Sequence, residues 1–182
     1  YDEARNIMEK GLEINPNHPV LNNNLGAVLC DLELYQEAEK YLIKATKLKD
    51  NYADAYANLG IAYIALNKFK LAINLLEEAR ILMPNGIDIL TNLGEAYRRA
   101  RNFKLAKNFL SQALEIDENY HLALNHRGLL EQSMNNYEAA IKYQRKDGSM
   151  PIETRRGGRA MFYQGRAMNA LSVIAIIAEN QG

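Results

Sequence analysis

The chain has 182 residues, of which 48% are hydrophobic and 24% charged, a balance typical of a folded globular protein and not of a disordered one. Its 22 basic and 22 acidic side chains cancel, so net charge provides no attraction to nucleic acid or to an anionic membrane. The single cysteine, Cys30, cannot form an internal disulfide, and three dispersed histidines do not make a ligand cluster, so we expect no metal or other cofactor. No secretory signal is recognisable at Tyr1, which favours the cytoplasm without fixing the localisation.

A period of 34 residues organises most of the chain. Leucine-glycine pairs recur at this interval, and a further glycine follows at the same interval: Leu25-Gly26, Leu59-Gly60, Leu93-Gly94 and Gly128. Two other columns agree in four copies, one aromatic and one alanine: Tyr35, Phe69, Phe103 and Tyr137; Ala38, Ala72, Ala106 and Ala140. The small residues predict sites where two helices cross closely, and the apolar spacing predicts amphipathic helices that fold by stacking on their neighbours.

In chain order, the period predicts a half-unit, three full units, a degenerate unit and a tail. The half-unit, 1–18, is expected to be the second helix of a truncated repeat with an apolar exposed face. The full units, each of two helices and two turns, are 19–52, 53–86 and 87–120. A degenerate or terminal unit covers 121–147, and a basic and then apolar segment covers 148–182.

The second full unit carries the most complete set of diagnostic residues, namely Tyr56, Leu59, Gly60, Tyr63, Phe69, Ala72, Leu76, Ala79 and Pro84. This pattern resembles the tetratricopeptide repeat family over about residues 1–146. The resemblance implies an all-α, right-handed superhelical solenoid of helix-turn-helix repeats. It also implies that the first helix of each repeat lines a concave face where a protein or peptide binds.

An asparagine recurs on the predicted concave face. Asn24, Asn58 and Asn92 precede the Leu-Gly pairs, and His126 takes the corresponding place in the fourth copy. A carboxamide can bond both an N–H and a C=O, so these side chains suit a peptide backbone. Helices offset by roughly 10 Å would meet every third residue of a chain that advances about 3.3–3.6 Å per residue. An equally open interpretation is that the asparagines order water or the adjacent turn.

Three further inward positions complete the predicted peptide-binding face, namely Ile61, Arg98 and Leu129. Arg98 could clamp a ligand carboxylate or phosphate in a bidentate fork. Alternatively, it is a cation favoured by a helix C-terminus. The sequence contains no recognisable nucleophile, general-base or phosphate-loop constellation, so we predict no enzymatic activity and no catalytic residues.

The tail contains the apolar run 168–178, which is too short to span a bilayer, since a spanning helix needs about 20 residues. Four interpretations remain open: a terminal cap, a degenerate fifth repeat, a segment that docks on another chain, and a ligand peptide joined to the scaffold. As a docking segment it would act through Leu171, Ile174 and Ile177.

These patterns favour a non-enzymatic scaffold that binds a peptide segment along the concave groove. One alternative is a structural subunit that assembles head to tail, with self-association through residues 150–182. Another is that the repeats are the targeting arm of a larger enzyme. The identity of the partner and the number of repeats in a full-length protein are beyond the reach of the sequence.

Overall fold

The computed structural model describes the backbone of residues 2–147 and the side chains of residues 3–138. This part of the chain consists of helices joined by short turns and contains no strand. The helices are α1 (Asp2–Ile14), α2 (Pro19–Asp31), α3 (Tyr35–Leu48), α4 (Ala53–Ala65), α5 (Phe69–Leu82), α6 (Ile87–Arg99), α7 (Phe103–Ile116) and α8 (His121–Asp147). The segment 148–182, with the predicted docking residues Leu171, Ile174 and Ile177, lies outside the described residues.

The helices pack as successive hairpins. Helix α2 packs on α3, α4 on α5 and α6 on α7, while α1, α3 and α5 each contact the next helix along the chain. The first helices of the hairpins also contact one another, α2 with α4 and α4 with α6, and so form a row. This arrangement confirms the predicted all-α solenoid of helix-turn-helix repeats.

Glycine allows the two helices of each full repeat to cross closely. A Cβ added at Gly26 would lie 2.4 Å from Cγ of Leu42, and one at Gly94 would lie 2.5 Å from Cγ of Leu110. Both leucines are completely buried. At Gly128, in contrast, an added Cβ would meet no described atom within 4 Å. The close approach predicted for the glycine column therefore holds in the full repeats, whereas Gly128 approaches none of the described residues in this way.

The turn inside each full repeat is a Schellman motif. The second residue after the first helix is left-handed in each case, with φ of 60° at Glu33, 59° at Asn67 and 61° at Arg101. The next backbone N–H bonds five residues back at 2.8 Å, from Leu34 to Leu29, from Lys68 to Tyr63 and from Asn102 to Tyr97. These bonds satisfy carbonyls that the helix end would leave unpaired.

The fourth copy lacks this turn, because α8 continues through the place where it would fall, at Asn135. A Schellman motif is usually accompanied by an apolar contact from the residue whose carbonyl accepts the long bond. Leu29, Tyr63 and Tyr97 occupy that position in the full repeats, but the fourth copy has the exposed Glu131. In this copy that apolar residue is missing, and α8 runs on as one helix.

Two compact units divide the chain, one of residues 1–127 and one that begins at Gly128. The first contains α1–α7 and the first two turns of α8. In the described part of the second, Leu130 is buried and the Ser133 hydroxyl donates to the Leu129 carbonyl at 2.7 Å. None of the described helices combines the length and the apolar character needed to cross a membrane.

Candidate functional site

The predicted site residues of the first unit lie along the row of first helices. We call this surface the ladder face, defined by Asn24 on α2, Asn58 on α4, Asn92 on α6 and His126 near the start of α8. Each asparagine precedes a buried leucine, Leu25, Leu59 or Leu93. Successive helical residues are rotated by about 100°, so each amide stands at the margin between core and solvent. Asn24 is exposed, and the other three side chains are half-buried.

An amide network connects the first two rungs of the ladder. Asn58 Nδ2 donates to Asn23 Oδ1 at 3.0 Å, and Asn23 Nδ2 donates to Asn24 Oδ1 at 3.2 Å. Asn23 is buried. Burial raises the pKa of the neighbouring Tyr52, while a hydrogen bond with Asn23 opposes that rise. The rungs at Asn24 and Asn58 are thus joined through a buried amide that carries no charge.

An ionic cluster joins the third repeat to the start of α8. Arg98 donates from Nε to Glu95 Oε2 and from Nη2 to Glu95 Oε1, both at 2.7 Å. Nδ1 of His126 lies 3.1 Å from the same Glu95 Oε2. The three side chains are largely buried, with exposed fractions of 11% for Glu95, 16% for Arg98 and 19% for His126. Arg98 is therefore engaged by a carboxylate of its own chain.

The Glu95 carboxylate is strongly held in its ionised form. Burial by itself raises the pKa of Glu95, but hydrogen bonds from His126 and Arg98 outweigh burial and lower the pKa to about 2. An ionised carboxylate only accepts hydrogen bonds. Glu95 is thus the carboxylate beside which the Arg98 guanidinium and the His126 ring lie.

The predicted residues Ile61 and Leu129 are apolar, and two further polar residues of α6 are already bonded. Ile61 is half-buried on α4, whereas Leu129 is exposed and belongs to the second compact unit. On α6, the Thr91 hydroxyl donates to the Ile87 carbonyl at 2.7 Å. Asp88, also on α6, accepts a hydrogen bond from the Tyr120 hydroxyl.

Cys30 and the histidines show no arrangement for redox or metal chemistry within the described residues. Burial raises the pKa of the Cys30 thiol to about 11, which suppresses the reactive thiolate. In this part of the chain no three histidine, cysteine, aspartate or glutamate side chains are grouped to hold a metal ion.

The sequence patterns did not identify Asn23 and Glu95 as residues that connect neighbouring repeats. The contact of Glu95 with Arg98 could have been predicted, because side chains three residues apart are neighbours on a helix. The contact with His126 spans 31 residues of sequence, and that of Asn23 with Asn58 spans 35. These two contacts join different repeats, so the pattern of residues within a single repeat does not predict them.

A cavity of about 430 Å³ lies away from the ladder face, lined by Glu9, Leu12, Glu13, Pro16, Asn22, Tyr41 and Lys44. Asn22 occupies the repeat column that holds Tyr56 and Leu90 in the next two repeats. Its smaller amide donates to the carbonyls of Pro16 and His18, at 3.0 and 2.8 Å. None of the predicted site residues lines this cavity.

Two models of the tetratricopeptide repeat family match the chain, at residues 17–85 and 63–130. Together with the helical hairpins, these matches show that the chain belongs to the tetratricopeptide repeat family. A model of the alginate lyase family matches residues 119–182, most of which lie outside the described part of the chain. No curated protein sequence matches.

Solved structures of tetratricopeptide repeat domains share the fold. The TPR domain of Arabidopsis OM64 superposes with a TM-score of 0.59 at 18% identity, over 63% of this chain and 94% of that domain. The first TPR domain of human RPAP3 gives 0.62 at 21% identity, over 69% and 98%. The MamA protein gives 0.64 at 24% identity, over 89% of this chain and 88% of its own. At these identities the likeness establishes the fold alone.

Proposed function

We propose that this chain is a non-enzymatic scaffold that binds an extended segment of another protein along the ladder face. Tetratricopeptide repeats are in general protein–protein interaction modules, and this chain has their architecture. The observation that carries the proposal is the row of first helices, α2, α4 and α6, which holds polar side chains at a constant 34-residue interval.

The asparagine rungs keep hydrogen-bonding capacity for a ligand. Asn24 is exposed and accepts one bond, which leaves its amide protons for a partner. Asn92 makes no side-chain hydrogen bond among the described residues and is half-buried beside the row. Each bond to a peptide contributes only about 0.5–1.5 kcal/mol net, so the surfaces between the rungs must supply the rest of the affinity.

The two ends of the ladder face offer different surfaces that can add affinity for a bound segment. Near Asn24 and Asn58 the face includes the small or apolar residues Ala27, Ala57 and Ile61. Beyond Asn92 the inward positions carry the cluster of Glu95 and Arg98. A segment with small apolar residues at one end and polar residues at the other fits both surfaces.

The chain supplies a matched control for a test of this face. Asn24, Asn58 and Asn92 lie on first helices, whereas the exposed Asn6, Asn74 and Asn108 lie on second helices and share another repeat column. Peptides selected from a random library on the 182-residue chain would be titrated by fluorescence anisotropy. We expect at least a tenfold loss of affinity in N24A/N58A/N92A and less than a twofold loss in N6A/N74A/N108A. Equal affinities in the two triple variants would contradict the proposal.

A second candidate is that the repeats are the targeting arm of an enzyme. The observation that favours it is the alginate lyase family match at residues 119–182. On this hypothesis the immobilised 182-residue chain retains alginate, and a chain ending at residue 147 does not. Equal retention by both chains, or none by either, would contradict it.

A further inference from the structure

We propose that Arg99 is the centre of a second binding surface, which it forms with Lys70 and Lys104 at the turns inside the second and third full repeats. This surface binds an acidic segment of a partner protein. We call the three residues the basic edge. None of them belongs to the ladder face, so the basic edge is independent of the function proposed for that face.

Positive charge is concentrated in this part of a chain whose formal net charge is zero. Residues 96–114 contain five basic side chains and no acidic one, and residues 55–76 contain two basic side chains and no acidic one. Among these cations, Arg98 and Lys68 are paired with glutamates of their own chain. The residues of the basic edge are exposed and form no salt bridge within the described part of the chain. Their charge is therefore available to a partner.

Neutral groups of the preceding repeat hold Arg99 in place. Its Nη2 donates to Asn67 Oδ1 at 2.8 Å, and its guanidinium carbon lies 5.4 Å from the centre of the Phe69 ring. Neither partner carries a charge, whereas the neighbouring Arg98 is engaged by the carboxylate of Glu95. A guanidinium has five N–H donors in one plane, so Arg99 is oriented and still has donors for a ligand. Such a fork binds a carboxylate through two parallel hydrogen bonds.

The two lysines stand at equivalent places in the second and third full repeats. Lys70 follows Phe69, over whose ring Arg99 lies, in the first turn of α5. Lys104 lies in the first turn of α7, directly after the turn that joins α7 to the end of α6. A cation in the first turn of a helix is disfavoured by the helix dipole, so helix stability does not explain either lysine. A carboxylate beside them is attracted by the lysines and by the dipole together.

The first full repeat carries the opposite charge at the same turn. Asp31 and Glu33 occupy the repeat columns of Arg99 and Arg101, and both acidic side chains are exposed. Burial raises the pKa of the neighbouring Tyr35, and the negative charges of Glu33 and Asp31 raise it further. An acidic segment is therefore repelled from the first repeat, which confines the binding surface to the second and third.

Fluorescence anisotropy of a labelled oligoglutamate peptide, titrated with the 182-residue chain at low salt, tests the basic edge. We expect at least a fivefold loss of affinity in K70A/R99A/K104A. The matched control K10A/K40A/K47A removes three exposed cations from α1 and α3, and it should lose less than twofold. Added salt should weaken binding to the wild type, because exposed charges are screened. No binding by the wild type, or equal losses in the two triple variants, would overturn the proposal.

Three further measurements test other occupants and the other surface. Single-stranded DNA of the same charge should bind more weakly than the peptide, and tighter binding of DNA would overturn the assignment to an acidic protein segment. Sedimentation at low salt should be the same for the wild type and K70A/R99A/K104A. A dimer that this variant loses would assign the basic edge to a second copy of the chain and overturn the proposal.

The variant N24A/N58A/N92A should bind oligoglutamate as the wild type does. A loss of affinity there equal to that in K70A/R99A/K104A would mean that the peptide occupies the ladder face, which would overturn the second surface. Failure of the function proposed for the ladder face would leave these titrations unaffected.

Discussion

The two halves of the ladder face are held together by different chemistry. Between α2 and α4 the link is a chain of neutral amides through Asn23, whereas between α6 and α8 it is an ionic cluster around Glu95. The underlying backbone is the same in both, with equally crowded glycines at Gly26 and Gly94. The comparison shows that a uniform repeat scaffold can join neighbouring rungs through neutral amides in one place and through charged side chains in another.

The largest expected effect comes from removing the centre of the ionic cluster. Glu95→Ala leaves Arg98 and His126 without their carboxylate in a largely buried place, and we expect it to lower the free energy of unfolding by roughly 3 kcal/mol. The exposed Glu78 on α5 is the control, and Glu78→Ala should change stability by less than about 0.5 kcal/mol. Urea denaturation measures the stability of both variants. Similar small changes in the two would contradict the claim that the ionic cluster stabilises this half of the ladder face.

Acid should weaken the ionic half selectively. The pKa of Glu95 is about 2 in the folded chain against an ordinary value of 4.5. A carboxyl whose pKa is lowered by folding stabilises the fold above its ordinary pKa, and that contribution is lost as the pH falls toward the lowered value. The stability advantage of the wild type over Glu95→Gln should therefore shrink between about pH 5 and about pH 2. Urea midpoints of the two proteins measure this difference in stability at each pH. A difference that stays constant from about pH 5 to about pH 2 would contradict the lowered pKa of Glu95.

Substitution of the glycines at the helix crossings tests whether the two halves of the ladder face are packed alike. Gly26→Ala and Gly94→Ala should each destabilise the chain by roughly 1–3 kcal/mol, because the added methyl group meets a buried leucine. Gly128→Ala would meet no described atom and should stabilise its helix by roughly 0.5–1 kcal/mol. Thermal unfolding of the three variants measures this, and unequal losses at Gly26 and Gly94 would mean that the halves differ in packing as well as in side chains.

The smallest expected effect lies in the amide half. Asn23→Ala removes the acceptor of Asn58 and the donor to Asn24, and we expect a loss of about 1–2 kcal/mol from the unpaired amide groups. Asn24→Ala, at an exposed position, should cost less than about 0.5 kcal/mol. If both variants unfold at the same urea concentration, the buried amide does not connect the two rungs.

Much of the fold could be predicted from the sequence because the repeat supplies the same local signals several times. The glycine column predicted the close crossings at Gly26, Gly60 and Gly94, and Leu-Gly spacing predicted the helical hairpins. The fourth copy differs at Asn135, where α8 continues, and the chain has Glu131 at the position that is apolar or aromatic in the full repeats.

The candidate site was less predictable, for a physical reason. Asn24, Asn58, Asn92 and His126 were identified by their spacing, but their bonding partners lie on neighbouring repeats. Whether a polar side chain is free or engaged depends on these contacts across the stack, as with Arg98 and Glu95. Residues that look equivalent in one repeat column can therefore play different roles, as His126 does beside the asparagines.

The central claim is that a partner segment binds the row of first helices. The most direct measurement is backbone NMR of the labelled 182-residue chain, titrated with a library-selected peptide. We predict that the perturbed amides fall in α2, α4, α6 and residues 121–127. Perturbations concentrated in α3, α5 and α7 would contradict the account.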